Sequence, residues 1–474
     1  MPMKHNFSTY LSPFTWRYGS DEMRIIWSES KKRLTWRRLW VALAEVQAEF
    51  GLVSKEQVAD LRAHAEQIDI KRAYEIEAEI QHDLMAEVKT FAEQCPVGGG
   101  VIHLGMTSMD IVDNTDALRA RQSLDLTITR LSVLLNTLTD LTSRWADTPV
   151  MGFTHLQPAE PTTLGYRLAQ YAQDLFFDWQ NLTRLRDNLK GKGVKGAVGT
   201  GASFAELLGK ENLPRFEARL SEILGLPFFP VTTQVYPRKQ DYEILSALAG
   251  LGASLYKFAF DLRLLQSPTI GELSEPFGKK QIGSSAMPFK RNPIRSEKID
   301  SLARMLAQYP RIAWDNAAHT LLERTLDDSA NRRTILPEAF LSADEILIVT
   351  ESIVGGLQIN EASMKNNLTQ YGPFAAIERV LMNLVKAGAD RQKMHERLRQ
   401  HSLTAWGSIQ RGDSNPLIDL ISTDEEILNY LSPNELSELM DAGDHLGDAP
   451  QRTKQLVESI QTALLENPGK VSNP

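Results

Sequence analysis

Leu124-Asp125-Leu126-Thr127-Ile128-Thr129-Arg130-Leu131-Ser132-Val133-Leu134-Leu135-Asn136-Thr137-Leu138 places apolar side chains at Leu124, Ile128, Leu131, Leu135 and Leu138. Steps of four, three, four and three residues follow the turn of an α-helix, so these five form one stripe on one face. A polar loop with His103, Thr107, Ser108 and Asp110 leads into this helix, which should end near Asp147-Thr148-Pro149. A second stripe runs through Leu164, Leu168, Tyr171, Leu175, Trp179 and Leu182, and a third through Leu248, Leu251, Leu255, Phe258, Leu262 and Leu265. Helices of this kind near thirty residues are roughly 45 Å long at 1.5 Å per residue. Alternating strand patterns are scarce, so the fold class is all-α, a bundle of long helices. Such helices carry more apolar face than one bundle covers, which predicts burial against other copies of the chain.

Outward from the bundle, the chain divides into three predicted domains. Residues 1–110 read as helical and amphipathic, with Trp36, Leu39, Trp40, Leu43 and Val46 recurring before Gly51. Residues 111–358 hold the long helices, including a fourth after Asn292-Pro293. A fifth is entered at Asp328-Ser329, carries Ile335, Leu341, Ile346 and Ile353, and is predicted to kink at Pro337. Residues 359–474 form a small helical domain with breaks expected near Gly372-Pro373, between Gly412 and Pro416, and at Pro433; only the tail after Asn467 reads as disordered.

The formal charge of 52 − 60 = −8 argues against nucleic acid as a partner of the whole chain, so an anionic ligand needs a local basic cluster. One cysteine, Cys95, excludes an intrachain disulfide and suits a reducing compartment. The first residues, among them Asn6, Ser8, Thr9, Ser12 and Pro13, lack the apolar core of a signal peptide, and no run of about 18 apolar residues marks a membrane span. A cytoplasmic protein is expected.

Chemistry concentrates in Gly283-Ser284-Ser285-Ala286-Met287-Pro288-Phe289-Lys290-Arg291-Asn292-Pro293. It closes the irregular segment 266–292, a catalytic-loop candidate. Asn292 as N-cap and Pro293 as first helical residue would expose backbone N–H groups beside Lys290 and Arg291, a setting for a carboxylate or phosphate. Glu323-Arg324-Thr325-Leu326-Asp327-Asp328-Ser329-Ala330-Asn331-Arg332-Arg333 repeats hydroxyl plus arginine at a helix start, with Arg332 and Arg333 about 100° apart, so that only one should face a site. Arg17-Tyr18 precedes Asp21, read as an N-cap; Gln81-His82-Asp83 sits in a helical pattern; Gly152-Phe153-Thr154-His155-Leu156-Gln157-Pro158 reads as a polar loop between helices. Gly196-Ala197-Val198-Gly199-Thr200-Gly201-Ala202 lacks the third glycine of a dinucleotide fingerprint, Phe204 standing there, and reads as a flexible loop. No P-loop, paired-cysteine, His-Glu-x-x-His or Gly-x-Ser-x-Gly pattern occurs, which leaves no support for a metal site or a serine-hydrolase nucleophile. Taken singly, each motif has an ordinary structural reading as a surface arginine, a polar-face histidine or a salt-bridge cluster.

Together, Thr107-Ser108, Thr154-His155 and the Gly283 to Pro293 signature resemble the three ordered blocks of the fumarase/aspartase superfamily. Arg17-Tyr18, His82-Asp83, Lys290-Arg291-Asn292-Pro293 with Arg295-Ser296-Glu297, and the stretch from Arg324 to Arg333 are similar to its adenylosuccinate lyase branch, nearest the part that includes the animal enzymes. The nearest rival, an argininosuccinate lyase, fits Arg17-Tyr18 and the Arg324 to Arg333 stretch poorly. A non-catalytic scaffold of the same fold would be expected to have lost one of Ser284, His155 or Lys290.

The resemblance implies a homotetramer with active sites shared between subunits, small-molecule nucleotide substrates, and no cofactor or metal. It implies β-elimination of fumarate from adenylosuccinate to give AMP, and from SAICAR to give AICAR. Ser284 would be the general base and His155 the general acid, with Lys290, His82 and Glu297 completing the catalytic set, Glu297 as the partner that orients His155. Lys290, Asn292 and the helix N-terminus would stabilise the dianionic intermediate. Arg17, Tyr18, His82, Asp83, Ser329 and Arg333 would hold phosphate or ribose, Thr107 and Ser108 the fumaryl carboxylate, and Gln234 and Arg324 other polar groups. Two positions depart from the pattern: Gln81 stands where the animal-like relatives carry arginine, and Lys298 replaces a second arginine, keeping charge without the bidentate fork.

Overall fold

The computed structural model describes residues 7–466; the tail expected to be disordered lies outside the described residues. The N-terminal part comprises α1 (Asp21–Ile26), α2 (Glu29–Glu49), α3 (Lys55–His64), α4 (Ile70–Ile80) and α5 (Asp83–Gln94). The central part has α6 (Ser108–Arg144), the strands β1 (Pro149–Thr154) and β2 (Gln157–Thr163), α7 (Leu164–Asn188), α8 (Ala202–Leu208), α9 (Leu213–Leu224) and α10 (Lys239–Leu265). Beyond β3 (Leu273–Ser274) come α11 (Ile294–Leu306), α12 (Tyr309–Ala318), α13 (Asp327–Val354) and β4 (Gln358–Ile359). The chain finishes with α14 (Glu361–Lys386), α15 (Arg391–Gln410), α16 (Leu417–Ser422), α17 (Glu425–Leu428), α18 (Pro433–Met440) and α19 (Ala449–Glu466).

The stripes are the core. Leu124, Leu131 and Leu135 of α6, Leu164, Leu168 and Leu182 of α7, and Leu248, Leu251 and Leu255 of α10 are fully buried in one cluster that also takes Ile335, Phe340 and Ile346 from α13. Each such side chain contributes about 1.5–3 kcal/mol on burial. The helix α19 returns to this core with Ile460 and Leu464, whereas residues 376–440 bury a cluster of their own. On the long helices Val133, Phe177 and Phe260 remain 43%, 73% and 44% exposed, so the single chain does not cover all their apolar faces. No helix among the described residues is long and apolar enough to cross a membrane.

Several local expectations are corrected. Residues 152–158 are not a loop between helices but part of an antiparallel hairpin, β1 with β2, paired from Pro149–Thr163 to Thr154–Gln157. Ser20, not Asp21, caps α1, its hydroxyl accepting from the Met23 N–H. Pro373 lies inside α14, so Gly372-Pro373 does not break that helix, while Pro337 stands inside α13 as expected. Gly372 serves close packing instead: a Cβ there would stand 2.7 Å from that of Ala442. The glycine-rich stretch from Gly196 is a loop, and its start is held by the buried Asp110 carboxylate, which accepts from the N–H groups of Lys195 and Gly196 and pairs with the fully buried Lys192.

Candidate active site

Three helix starts converge on a cleft of about 550 Å³. The first is α5, with His82 as its N-cap and Asp83 as its first residue; the second is α6, opening at Thr107-Ser108; the third is α13, carrying Ser329 and Arg333. Helix N-termini are the positive ends of the peptide dipoles, so three of them facing one volume favour an anionic ligand. Gln81, Gln234 and Arg324 line the same cleft. Gln81 closes α4 in the left-handed region, at φ +56°, which turns the chain sharply into α5.

The His82 ring accepts from the Met85 N–H through Nδ1 at 3.3 Å, which leaves the ring proton on Nε2, 3.4 Å from Ser108 Oγ. Arg333 donates to Asp83 at 2.7 Å. Burial acts to raise the Asp83 carboxyl, but Arg333, the Leu84 N–H and Lys32 outweigh it and hold it below the ordinary carboxylate range.

Under the cleft lies a buried ionic floor that sequence reading missed. Arg238 spans Asp113, at 3.1 Å, and Asp328, at 2.6 Å; Arg332 donates to Asp241 at 2.8 Å and to the Tyr236 hydroxyl at 2.9 Å; Arg324 donates to Asp328 at 2.7 Å. Of the adjacent arginines, Arg332 is thus committed to the floor and Arg333 to the rim. Burial pushes the Asp113 carboxyl up against the pull of Arg238 and Arg332, whereas at Asp328 Arg238 and Arg324 overcome burial and hold it down. A signal did exist: continued backwards from Leu124, the stripe of α6 meets Ala120, Ala117, Asp113 and Asp110 at helical steps, and an acid on a buried face requires a buried partner.

The remaining expected residues lie elsewhere on the chain. Arg17, exposed, rests over the rings of Trp16 and Tyr18 at 5.7 and 5.9 Å and has no carboxylate partner among the described residues. Its turn is bound to α13 through the Gly19 N–H on Glu345 and the Ser20 N–H on Asp344, and Lys298 donates to the same Glu345 at 3.0 Å. His155 occupies the tip of the hairpin. Both His155 and Leu156 adopt left-handed backbone, φ +52° and +60°, a conformation costly for leucine. His155 is exposed and has no hydrogen-bond or ion-pair partner among the described residues. In particular it does not meet Glu297, whose carboxylate stands 4.0 Å from Arg263.

The loop carrying Ser284 folds on itself. Asn292 donates to the Gly283 carbonyl at 3.0 Å, and Ser284 Oγ accepts from the N–H groups of Ala286 and Met287 at 3.3 and 3.1 Å. Asn292 therefore does not cap α11, whose N-cap is Pro293. Nor is that N-terminus open to an anion: the Glu275 carboxylate accepts from the Arg295 and Ser296 N–H groups at 3.2 and 2.5 Å.

Within one chain, both the hairpin and the Ser284 loop lie far from the cleft. Ser108 opens α6 and the hairpin follows its other end; 37 residues make that helix about 55 Å long. Likewise Ser329 near the start of α13 is in the cleft, while Ser352 near its end binds Arg295, beside the Ser284 loop, about 35 Å further along.

One grouping outside the cleft, Asp60 with His64 and Cys95, has the residue types of a metal site. Asp60 already accepts from the Val97 and Gly98 N–H groups, His64 Nδ1 meets the Asp60 carbonyl, and Cys95 is buried.

Residues 16–306 match a lyase family, and residues 373–456 match the adenylosuccinate lyase C-terminus. The chain is 39% identical over 470 residues to adenylosuccinate lyase of Saccharomyces cerevisiae, covering 97% of this chain and 96% of that one. It is 41% identical over 427 residues to adenylosuccinate lyase of Schistosoma mansoni, 88% of each. Its fold is similar to that of the 3-carboxy-cis,cis-muconate lactonizing enzyme of Pseudomonas putida, with a TM-score of 0.85, 27% identity, and coverage of 95% of this chain and 99% of that one.

Proposed function

We propose, on the premise that this chain belongs to the adenylosuccinate lyase family, a division of the catalytic work between its copies. The protein is a lyase that releases fumarate from adenylosuccinate, leaving AMP; SAICAR is cleaved to fumarate and AICAR by the same step. Ser284 removes a proton from the carbon beside a carboxylate of the succinyl group. The electron pair so formed expels the nitrogen, the C–N bond breaks, and His155 supplies the proton that nitrogen needs. A serine hydroxyl is a weak acid, and the two N–H groups aimed at Ser284 Oγ favour its alkoxide form. Lys290 supplies positive charge for the dianionic intermediate, while Asn292 shapes the loop.

His82, Asp83, Arg333, Ser329, Gln234 and Arg324 hold the nucleotide in the cleft, with Thr107 and Ser108 on the fumaryl carboxylate. Arg17, Tyr18 and Lys298 add a second binding cluster tied together through Glu345. Side chains handle every proton and charge in this scheme, which calls for no cofactor. The protein acts as a homotetramer in which the cleft of one subunit, the His155 hairpin of a second and the Ser284 loop of a third make one site, and Glu297 reaches His155 only there. A reducing, cytoplasmic setting suits the single buried Cys95.

The observation that carries this reading is His155: held in a strained turn, without a partner among the described residues, at the far end of a 37-residue helix from the cleft. The test is fumarate release by the purified protein from adenylosuccinate and, in parallel, from argininosuccinate. Turnover of adenylosuccinate alone is expected, with losses of about 10²–10⁴-fold for Ser284→Ala and for His155→Ala. Turnover of argininosuccinate alone would overturn the substrate, and a near-normal rate in either variant would overturn that residue's role.

A further inference from the structure

The His155 hairpin and the Ser284 loop share one root. Arg167 on α7 donates from Nη1 to Glu272 at 2.5 Å and from Nη2 to the Met151 carbonyl at 2.5 Å. Met151 lies at the point where the register of β1 against β2 shifts, between Met151 and Phe153. Between them Gly152 has no room for a side chain, since a Cβ would stand 2.5 Å from the Glu160 carbonyl. Such a bulge bends a strand and re-aims whatever lies beyond it, here the tip with His155. Two strands alone are marginally stable, and a cleft of about 850 Å³ opens beside Phe153 and Thr154, so the direction of the tip depends on its anchored base.

Glu272, fully buried, is anchored from the other side as well: Asn367 donates to its second carboxylate oxygen at 2.9 Å, and its carbonyl accepts from the Asn360 N–H. The next residue, Leu273, pairs with Ile359, and Glu275 then caps α11. The loop with Ser284 is strung between these points.

We propose that Arg167 and Glu272 are a positioning pair that sets both the general acid and the general base, through the bulge at Met151 and the root of the loop. This rests on the shared-site reading above, in which the hairpin and the loop of one chain serve different active sites. One buried pair then governs the acid of one site and the base of another.

Arg167→Lys tests it. A lysine keeps the charge facing Glu272, but its single ammonium does not reproduce the two-armed guanidinium bond to carboxylate and carbonyl. The variant should stay tetrameric with an unchanged melting temperature and nucleotide KM, while kcat falls about 100-fold, the scale of a misplacement near 1 Å. Mixed tetramers separate the two arms. Arg167→Lys subunits should fail to restore activity when assembled with His155→Ala subunits, for lack of a placed acid. They should also fail with Ser284→Ala subunits, for lack of a placed base.

Recovery with Ser284→Ala subunits would remove the loop from the proposal, recovery with His155→Ala subunits would remove the hairpin, and wild-type kcat in Arg167→Lys would sink it altogether. Mixtures of His155→Ala with Ser284→Ala are the control. Their failure to recover would show that acid and base come from the same subunit, while the kcat of homogeneous Arg167→Lys would still report on the pair.

Discussion

Mixed tetramers of two inactive variants give the sharpest test of how the site is built. His155 follows a 37-residue helix, about 55 Å, whose opposite end helps to form the cleft, and Ser284 lies about 35 Å along α13 from Ser329. Neither distance is bridged by loop motion, because the helices are buried along their length in one core. A His155→Ala subunit still offers an intact Ser284, and a Ser284→Ala subunit an intact His155. When each site draws these residues from different subunits, random assembly at equal amounts gives half the sites an intact acid and half an intact base. About a quarter of the sites then have both. Activity should follow the product of the two subunit fractions and peak at the equal mixture, starting from parents that are each down by about 10²–10⁴-fold. The assay is fumarate release after co-refolding, with subunit exchange verified by native mass measurement. Exchanged tetramers that remain at the parental rate would show that acid and base come from the same subunit, against the proposed division between copies.

Arg333→Met should raise the nucleotide KM by tenfold or more, on the order of one lost charge-assisted bond, while changing kcat little; an unchanged KM would take Arg333 out of the binding set. The same variant has a pH signature. The native Asp83 carboxyl is held low, so its pair with Arg333 stabilises the fold above the ordinary carboxylate range of about 4 and is lost as pH falls through the lowered value. Acid unfolding of Arg333→Met should accordingly begin at higher pH than in the wild type. Gln81→Arg adds a cation to the cleft wall and should lower the nucleotide KM, more so at low salt; no change at any ionic strength would mean that position 81 does not reach the ligand. Asp178 has the opposite sign: burial, with Asp174 adding and a Ser254 hydrogen bond opposing, pushes it up to about 6. The native state then binds the extra proton between about pH 4 and 6, and stability falls as pH rises through that window. Asp178→Asn should raise the melting temperature at neutral pH and not at about pH 3.5, and equal shifts at both would refute the assignment.

Much of this was written in the local order of residues. The 3.6-residue period of Leu124 to Leu138 specifies a helix and its inner face wherever that segment is put, because periodicity is a property of the segment itself. The chemistry of the motifs was legible for the same reason, since hydroxyl, imidazole and guanidinium keep their character in any fold. The hairpin was not legible: its strands hold Pro149, Pro158 and Pro161, and its turn is His155-Leu156 in place of the usual Asn-Gly. With only two strands, both are edges, where proline is tolerated.

Nor could the sequence show that Glu275 fills the N-terminus of α11, that Arg332 serves the floor while Arg333 serves the rim, or that Arg167 joins hairpin and loop. Those pairings connect residues from 20 to more than 200 positions apart, and many other partners of the same charge were available in the chain. Only the packing of rigid helices decides which counterparts each buried charge can reach, and the lengths of those helices place His155 and Ser284 away from the cleft of their own chain.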